Sequence, residues 1–165
     1  MKSILLIRYG FLLFAGCCVQ NATLCAAMTP NLAVSSEGQR VIRTTAFTHS
    51  HHAVKNANGS HLRSGVLNSA AADWSRFPLG TKFKIVRTNK TYVVDDYGPA
   101  LMGTNNIDLY MPSRQEMTKW GVRKVAIDII EPGSYDRSLA LLKSRRTVPY
   151  VRKMVKRLEA KVHSR

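Results

Sequence analysis

Residues 93–110 read VVDDYGPALMGTNNIDLY and place three carboxylates around a glycine-bearing turn, in a chain that is otherwise rich in lysine and arginine. The β-branched and apolar residues at both ends of this stretch predict two strands that end near the turn. In a regular strand neighbouring side chains point to opposite faces, so Asp95 and Asp96 are not expected to line one pocket together. One member of this pair is therefore predicted to be solvated, and the other to accompany Asp108.

The chain on both sides of this stretch predicts a mainly β fold. Segments that are β-branched and aromatic, or that alternate apolar and polar residues, predict strands. They are residues 41–48, 65–72, 82–87, 91–95, 107–110 and 122–130. One short helix is expected before the last strand, because Ser113 and Glu116 form a capping box and Gly121 ends the helical pattern. Five or six short strands with one small helix favour a compact β-barrel over a βαβ sheet.

Length and composition allow one domain of ordinary size with extensions. The 165 residues are 45% hydrophobic, enough for a packed core, and they carry 25 Lys and Arg against 10 Asp and Glu, a formal charge of +15. The positive charge is concentrated in residues 134–165, which hold ten Lys or Arg and two acids. Apolar residues in this tail follow helical spacing with an interruption at Pro149, which predicts two short amphipathic helices at most.

Two interpretations of the basic tail stay open. It is either a solvated appendage that packs lightly on the barrel, or a surface that adheres to lipid headgroups or acidic wall polymers. Nucleic acid would fit the charge equally well. The N-terminus predicts export, however, and nucleic acid is therefore not the expected partner.

The N-terminus has the pattern of an export signal. Basic residues precede a short apolar region, and small residues follow up to Ala27, so residues 1–27 are predicted to be a signal peptide and residues 28–40 a linker. Cleavage after Ala27 would release a soluble protein to the periplasm or cell envelope. The residues before Cys17 resemble a lipoprotein signal, and the alternative is a lipid anchor at that residue. All three cysteines lie in this segment, which excludes a disulfide framework and thiolate chemistry in the mature protein.

The histidines do not predict a metal site. His49, His51 and His52 lie in a polar loop without an acidic residue or cysteine at metal-ligand spacing. The sequence also lacks the GxSxG and HExxH motifs and a glycine-rich phosphate loop. Activated-serine and zinc mechanisms therefore have no support, and no cofactor is expected. The carboxylates remain as the candidate catalytic groups.

Several short blocks of the sequence together resemble a known family, the 3D (three-aspartate) domain. They occur in the expected order and read SAAAD at 69–73, PLGT at 78–81, VDDYG at 94–98, IDLY at 107–110 and WG at 120–121, together with Gly103. The resemblance extends over residues 44–131 and implies a six-stranded double-psi β-barrel, which we expect to occupy residues 41–133. The family includes membrane-bound lytic transglycosylase A and cell-wall proteins of the stationary-phase survival and resuscitation types.

The resemblance also implies the catalytic residues. The three aspartates of the family's name fall on Asp73, Asp96 and Asp108, and in the transglycosylase branch the aspartate before Leu-Tyr, here Asp108, is the catalytic acid and base. The aspartate-x-glycine element of the family matches Asp96 and Gly98, which leaves Asp95 as the solvated neighbour.

Other residues near the aspartates are candidates for binding the sugar. Aromatic rings can stack on sugar rings, and amide side chains can pair with hydroxyl or acetamido groups. The candidates are Trp74, Tyr97, Gly98, Asn105, Asn106 and Tyr110. Trp120 is instead expected to pack in the core behind the short helix.

The resemblance implies an exported lytic transglycosylase that cleaves the glycan strands of peptidoglycan. Such an enzyme needs one carboxylic acid, which protonates the glycosidic oxygen and then takes the proton of the sugar's C6 hydroxyl as a 1,6-anhydro ring closes. Asp108 must then begin protonated. We expect Asp96, on an adjacent strand, to raise the pKa of Asp108 by repulsion and to hydrogen-bond its acid form.

Two alternatives to the transglycosylase remain. Pro99 stands where the family usually has a second glycine, Met102 stands where a lysine is common, and residues 104–106 add a residue to the turn. Pro99 and Met102 favour a non-catalytic module that binds peptidoglycan or another polysaccharide. A plain hydrolase in which Asp96 activates water is the third interpretation.

Overall fold

The computed structural model describes residues 39–49 and 55–164. In this part of the chain the strands, in order, are β1 (Gln39–Phe47), β2 (Leu67–Ala72), β3 (Lys82–Ile85), β4 (Thr91–Asp96), β5 (Ile107–Tyr110) and β6 (Arg123–Glu131). The helices are α1 (Arg114–Trp120), α2 (Tyr135–Lys143) and α3 (Pro149–His163), and a 3-10 helix spans Pro99–Leu101. The predicted signal peptide, its three cysteines, His51 and His52 lie outside the described residues, and the predictions made for them stay predictions.

The six strands close into a barrel in the order β1-β5-β2-β4-β3-β6. β1 pairs with β5, and β2 with β4, in parallel, whereas the other neighbouring strands are antiparallel. Alternate side chains face inward, so that Phe83 and Ile85 on β3 and Ile107 and Leu109 on β5 are fully buried in the core. The prediction of a mainly β, six-stranded barrel followed by a helical C-terminal region is confirmed.

Local turn and cap signals set several of the element boundaries. β5 has the predicted bounds, and β3 ends two residues earlier than predicted because the chain turns at once. The N–H of Asn89 donates to the carbonyl of Ile85 at 2.8 Å, and Asn89 has φ 55°, a left-handed conformation that asparagine tolerates. At the start of α1, Ser113 Oγ accepts a hydrogen bond from the N–H of Glu116 at 3.2 Å, as the capping-box pattern predicts.

Strand β4 contains a bulge at Asp95 that determines where Asp96 points. Val94 pairs with Ala70 of β2 and Asp96 pairs with Ala71, so Asp95 is an extra residue without a partner on β2. Strict alternation would turn Asp96 inward, on the side of Val94. A bulge re-aims the side chains next to it, and Asp96 instead shares the outer face of the barrel with Ala71. Strict alternation therefore fails at this strand, although Asp95 and Asp96 line separate cavities, as expected from the sequence.

The C-terminal helices pack on the barrel and share its core. Leu142 of α2 and Met154 and Leu158 of α3 are fully buried and belong to the same apolar cluster as the barrel interior. Pro149 occupies the first turn of α3, where the missing N–H has no helical partner to lose. The apolar face of an amphipathic helix is stabilised by burial against a core, and the interpretation of this region as a lightly packed appendage is wrong.

Among the described residues, no helix has the length and apolar character needed to cross a membrane.

Candidate active site

A cleft of about 350 Å³ lies on the outer face of the barrel, where β1, β5, β2 and β4 run side by side. Its walls come from these strands and from the 3-10 helix that follows β4. The lining residues are Arg43, Thr45, Phe47, Ala71, Asp96, Tyr97, Gly98, Pro99, Ala100, Leu101, Asn106 and Asp108. The cleft therefore brings together two of the three aspartates that the sequence singled out.

Asp108 is half-buried in the middle of β5, between two inward-facing apolar residues. It pairs in register with Thr45 of β1, and Thr45 Oγ1 donates a hydrogen bond to Asp108 Oδ1 at 2.8 Å. Burial raises the pKa of Asp108 most strongly, the hydrogen bond from Thr45 lowers it, and the negative charge of Asp96 raises it. Asp108 should therefore stay protonated up to a higher pH than an ordinary aspartate.

Asp96 lies at the end of β4 and holds two backbone N–H groups. Asp96 Oδ1 accepts hydrogen bonds from the N–H of Tyr97 at 2.9 Å and from the N–H of Ala57 at 3.0 Å. Burial raises its pKa, while these two bonds and the nearby charge of Arg145 lower it. Because the hydrogen bonds and Arg145 stabilise the carboxylate form, Asp96 differs from Asp108, whose neighbouring acid favours the neutral form.

The two acids are not on adjacent strands, as the sequence analysis expected. β2 runs between β4 and β5, and Ala71 of β2 pairs with Asp96 on one side and with Asp108 on the other. Two strand spacings separate the Cα atoms of the acids by about 10 Å, and no hydrogen bond joins their carboxylates. The expected influence of Asp96 on the pKa of Asp108 thus acts through charge, and the expected hydrogen bond between them is absent.

Asp73 does not line the cleft and serves the fold. Its side chain is fully buried, and Oδ1 accepts hydrogen bonds from the N–H and hydroxyl of Ser75 at 2.8 and 2.6 Å. Oδ2 accepts from the N–H of Gly103 at 2.7 Å and from Arg157 Nη1 of α3 at 3.2 Å. With both oxygens occupied, Asp73 caps a turn and ties a loop to α3, and its prediction as a catalytic residue is corrected accordingly.

Trp74 is also removed from the candidates for sugar binding. It is completely buried, and its indole N–H donates to the carbonyl of Asp96 at 2.9 Å. The ring meets Tyr97 edge to face, with 5.0 Å between the ring centroids. Trp74 therefore supports Tyr97 from behind and has no surface left for a sugar.

The remaining sugar-binding candidates divide into two groups. The cleft is lined by three of them, Tyr97, Gly98 and Asn106. Asn105 accepts a hydrogen bond from Arg76 Nη1 at 2.7 Å, and Tyr110 is mostly buried, with its hydroxyl 2.6 Å from His49 Nδ1. Neither Asn105 nor Tyr110 lines the cleft, so their use as direct sugar contacts is not supported by this geometry.

One side of the cleft was missed by the sequence analysis. Arg43, Thr45 and Phe47 alternate along β1 and face the cleft together. The spacing of two residues is the signal that could have found them. It was not decisive, because the neighbour of β1 in the barrel is β5, which is distant in the sequence.

Asp95 is buried and not solvated, which corrects a further expectation. It is 1% exposed, and its Oδ2 accepts a hydrogen bond from Ser69 Oγ at 2.8 Å. Oδ1 is buried without a hydrogen-bond partner among the described residues. Burial is the main cause that raises the pKa of Asp95 from 3.8 to about 6, against the opposing effects of Ser69 and the charge of Arg63. The bulge explains this burial, because it turns Asp95 toward Ser69 on the neighbouring strand.

Within residues 39–49 and 55–164, no group of three or more His, Cys, Asp or Glu side chains is arranged to hold a metal ion.

The family comparison agrees with this architecture. Residues 68–131 match the family model of the 3D domain. This segment is a 3D domain, and the closed six-stranded barrel to which it belongs fits the double-psi type. It carries β2 to β6 and both acids of the cleft, whereas β1 and the C-terminal helices lie outside the matched residues. The 3D domain indicates a function related to the cell wall and occurs in proteins of the lytic transglycosylase type. No curated protein matched the chain.

Proposed function

We propose that the chain is an exported lytic transglycosylase of the periplasm or cell envelope that cleaves the glycan strands of peptidoglycan. The observation that carries the proposal is the pairing of Asp96 and Asp108 in one cleft, with burial raising the pKa of both. A raised pKa is the property that a general acid needs near neutral pH.

The proposed reaction uses Asp108 twice. Its neutral carboxyl group donates a proton to the glycosidic oxygen as the bond to C1 breaks. The carboxylate that forms then takes the proton of the C6 hydroxyl, whose oxygen closes a 1,6-anhydro ring on C1. Because this nucleophile belongs to the sugar itself, it is already held near the reacting carbon. Thr45 Oγ1, 2.8 Å from Asp108 Oδ1, stabilises the transient carboxylate.

Asp96 has a different part in the proposal. Its carboxylate is stabilised by the N–H groups of Ala57 and Tyr97, so it remains charged while Asp108 holds a proton. The charge adds to the larger effect of burial in raising the pKa of Asp108, and it offsets positive charge that develops at C1. Tyr97 and Asn106, on the wall of the cleft, are the proposed contacts with the sugar rings.

One observation favours a hydrolase as the second candidate. The small side chain of Ala71 lies between the two acids, and a separation of two strands leaves room for a water molecule on the far side of the sugar. Inverting glycosidases place their carboxyl groups about 6.5–9.5 Å apart for this purpose. In that mechanism Asp96 would act as the base for water.

Digestion of purified sacculi by the purified chain, followed by mass spectrometry of soluble products, separates the candidates. The proposal expects 1,6-anhydro ends, whereas reducing ends would indicate the hydrolase. Sacculi that retain the protein without any soluble product would indicate a binding module and contradict both enzymatic candidates.

Two variants test the residues. Asp108→Asn should abolish product release, by about a thousandfold or more, because it removes the acid and base. Asp136→Asn removes an exposed carboxylate from α2, outside the cleft, and should leave release unchanged. Equal activity of the Asp108→Asn variant and the wild type would overturn the assignment.

The basic C-terminal region enters the proposal as the contact with an anionic surface. Arg152, Lys153 and Lys156 are exposed on α3, while the opposite face of this helix is buried. Their charge suits acidic wall polymer or anionic lipid headgroups.

A further inference from the structure

Arg145 lies between α2 and α3, outside the segment that matches the 3D domain, and reaches back to the edge of the cleft. Its Nη1 donates hydrogen bonds to the carbonyl of Ala57 at 2.7 Å and to the hydroxyl of Tyr97 at 3.1 Å. The guanidinium carbon also lies 6.0 Å from the centroid of the Tyr97 ring. One cation from the C-terminal region therefore contacts both Ala57 and Tyr97, of which Tyr97 lines the cleft.

The two residues that Arg145 contacts each donate a backbone N–H to Asp96. The N–H of Ala57 bonds Asp96 Oδ1 at 3.0 Å, and the N–H of Tyr97 bonds the same oxygen at 2.9 Å. The N–H and the carbonyl of Ala57 belong to successive peptide groups, so this residue is held on one side by Asp96 and on the other by Arg145. Tyr97 is further packed between Trp74 and Tyr150, at centroid distances of 5.0 and 6.3 Å.

We propose that Arg145 is a positioning residue of the candidate active site, which fixes Ala57 and Tyr97 so that Asp96 keeps its two N–H donors and its negative charge. This inference rests on the proposed function for its catalytic consequence. The effect of Arg145 on Asp96 does not depend on that function, because it follows from the hydrogen bonds among Arg145, Ala57, Tyr97 and Asp96.

The charged groups around Asp96 explain why one cation matters. Asp96 faces Asp108 across Ala71, Arg43 from β1, and Arg145 from the C-terminal region. Its covalent neighbour Asp95 adds a further buried acid. Arg145 lowers the pKa of Asp96 against the effect of burial, and the resulting charge raises the pKa of Asp108. Arg145 thus helps to keep one acid charged while the other is neutral.

This separation predicts a bell-shaped dependence of lytic activity on pH. The acid limb reports ionisation of Asp96, and the alkaline limb reports loss of the proton from Asp108. Without Arg145 the pKa of Asp96 should rise, because a neighbouring opposite charge and the support of two N–H donors are both lost. The acid limb should therefore move to higher pH and narrow the range of activity.

The test measures ionisation and activity separately in the full chain. Carboxyl carbons of ¹³C-labelled aspartates are titrated by NMR, with the Asp96 signal assigned from the Asp96→Asn variant. Arg145→Gln should raise the Asp96 midpoint by about one pH unit and shift the acid limb of product release by a similar amount. Arg137→Gln removes the same charge from an exposed position on α2 and should shift neither.

Arg145→Lys tests geometry against charge. Lysine keeps the positive charge but lacks the planar guanidinium that contacts both Ala57 and Tyr97, so the Asp96 midpoint should lie between the wild-type and the Arg145→Gln values. Activity should recover only in part. Both variants are first checked for native circular dichroism and thermal midpoint, and the lysine variant keeps the test valid if the glutamine variant unfolds.

The outcomes separate this inference from the proposed function. An Asp96 midpoint that is the same in Arg145→Gln and wild type would overturn the inference, whether or not the chain is active. A raised midpoint in a chain that releases no product would support control of Asp96 by Arg145 and would refute the transglycosylase. A raised midpoint with an unshifted acid limb would refute the catalytic consequence.

Discussion

The buried carboxylate of Asp95 should make the stability of this protein depend on pH in a defined direction. Its pKa rises from 3.8 to about 6 on folding, and this difference corresponds to about 3 kcal/mol. Because the folded-state pKa lies above the unfolded one, the folded state favours the neutral acid. The stability that the protonated Asp95 contributes to the folded state is therefore fully present below about pH 4, and it is lost as the pH rises through about 6.

Asp95→Asn should remove this dependence. Asparagine is similar in shape, stays neutral, and can still accept the hydrogen bond that Ser69 Oγ donates to Asp95 Oδ2. Relative to the wild type, the variant should therefore be more stable at pH 8 than at pH 3.5. The difference in the free energy of unfolding, variant minus wild type, should increase by about 3 kcal/mol between these two pH values. Comparing the two proteins at each pH cancels the contributions of Asp96 and Asp108, whose pKa values are also raised.

Urea unfolding followed by tryptophan fluorescence at pH 3.5, 5, 6, 7 and 8 measures this difference directly. The change should be concentrated between about pH 4 and 6.5. Asp136→Asn, on the exposed first turn of α2, controls for the altered net charge. A difference between Asp95→Asn and wild type that is constant across this range would refute the reasoning, because it would show that burial does not penalise the charged form of Asp95.

Two further predictions address Asp108 and the C-terminal helices. Thr45→Val removes the hydroxyl whose hydrogen bond lowers the pKa of Asp108. The alkaline limb of the pH profile of product release should therefore move to higher pH by about half a unit. A shift to lower pH would contradict the role given to Thr45. Leu158→Ala removes a fully buried side chain from the shared core and should lower the free energy of unfolding by about 2–5 kcal/mol in urea titrations. Val162→Ala, at a half-buried position of the same helix, should cost less, and equal small costs at both positions would contradict a shared core.

The parts of the fold that follow from neighbouring residues could be predicted from the sequence. β5 has its predicted bounds because two inward apolar residues alternate with outward ones over a short run. α1 begins at Arg114, directly after its predicted cap, Ser113, because that hydroxyl satisfies an N–H group of the first turn. These features depend on contacts within a few residues.

The errors arise where the decisive contact is distant in the sequence. The bulge at Asp95 is defined by its pairing with β2, about 25 residues earlier, and no local pattern shows it. Asp73 matches the family pattern of a catalytic residue in the sequence. Its structural role depends in part on a contact with Arg157 of α3, which is 84 residues away. The apolar spacing of the tail predicts amphipathic helices, but the core that buries their apolar face is built from residues distant in the sequence.

The segment that matches the 3D domain supplies both acids, but several residues that contact them or their partners lie outside it. Thr45 of β1 bonds Asp108, Ala57 bonds Asp96, and Arg145 holds Ala57 in place, and all three lie outside residues 68–131. Since a carboxyl group works as an acid or base only at a suitable pKa, the aspartates of this segment do not define its chemistry by themselves. Two chains with the same pair of aspartates can therefore differ in activity when β1 or the C-terminal helices differ, and substitution at Arg145 separates the contribution of the flanking elements from that of the acids.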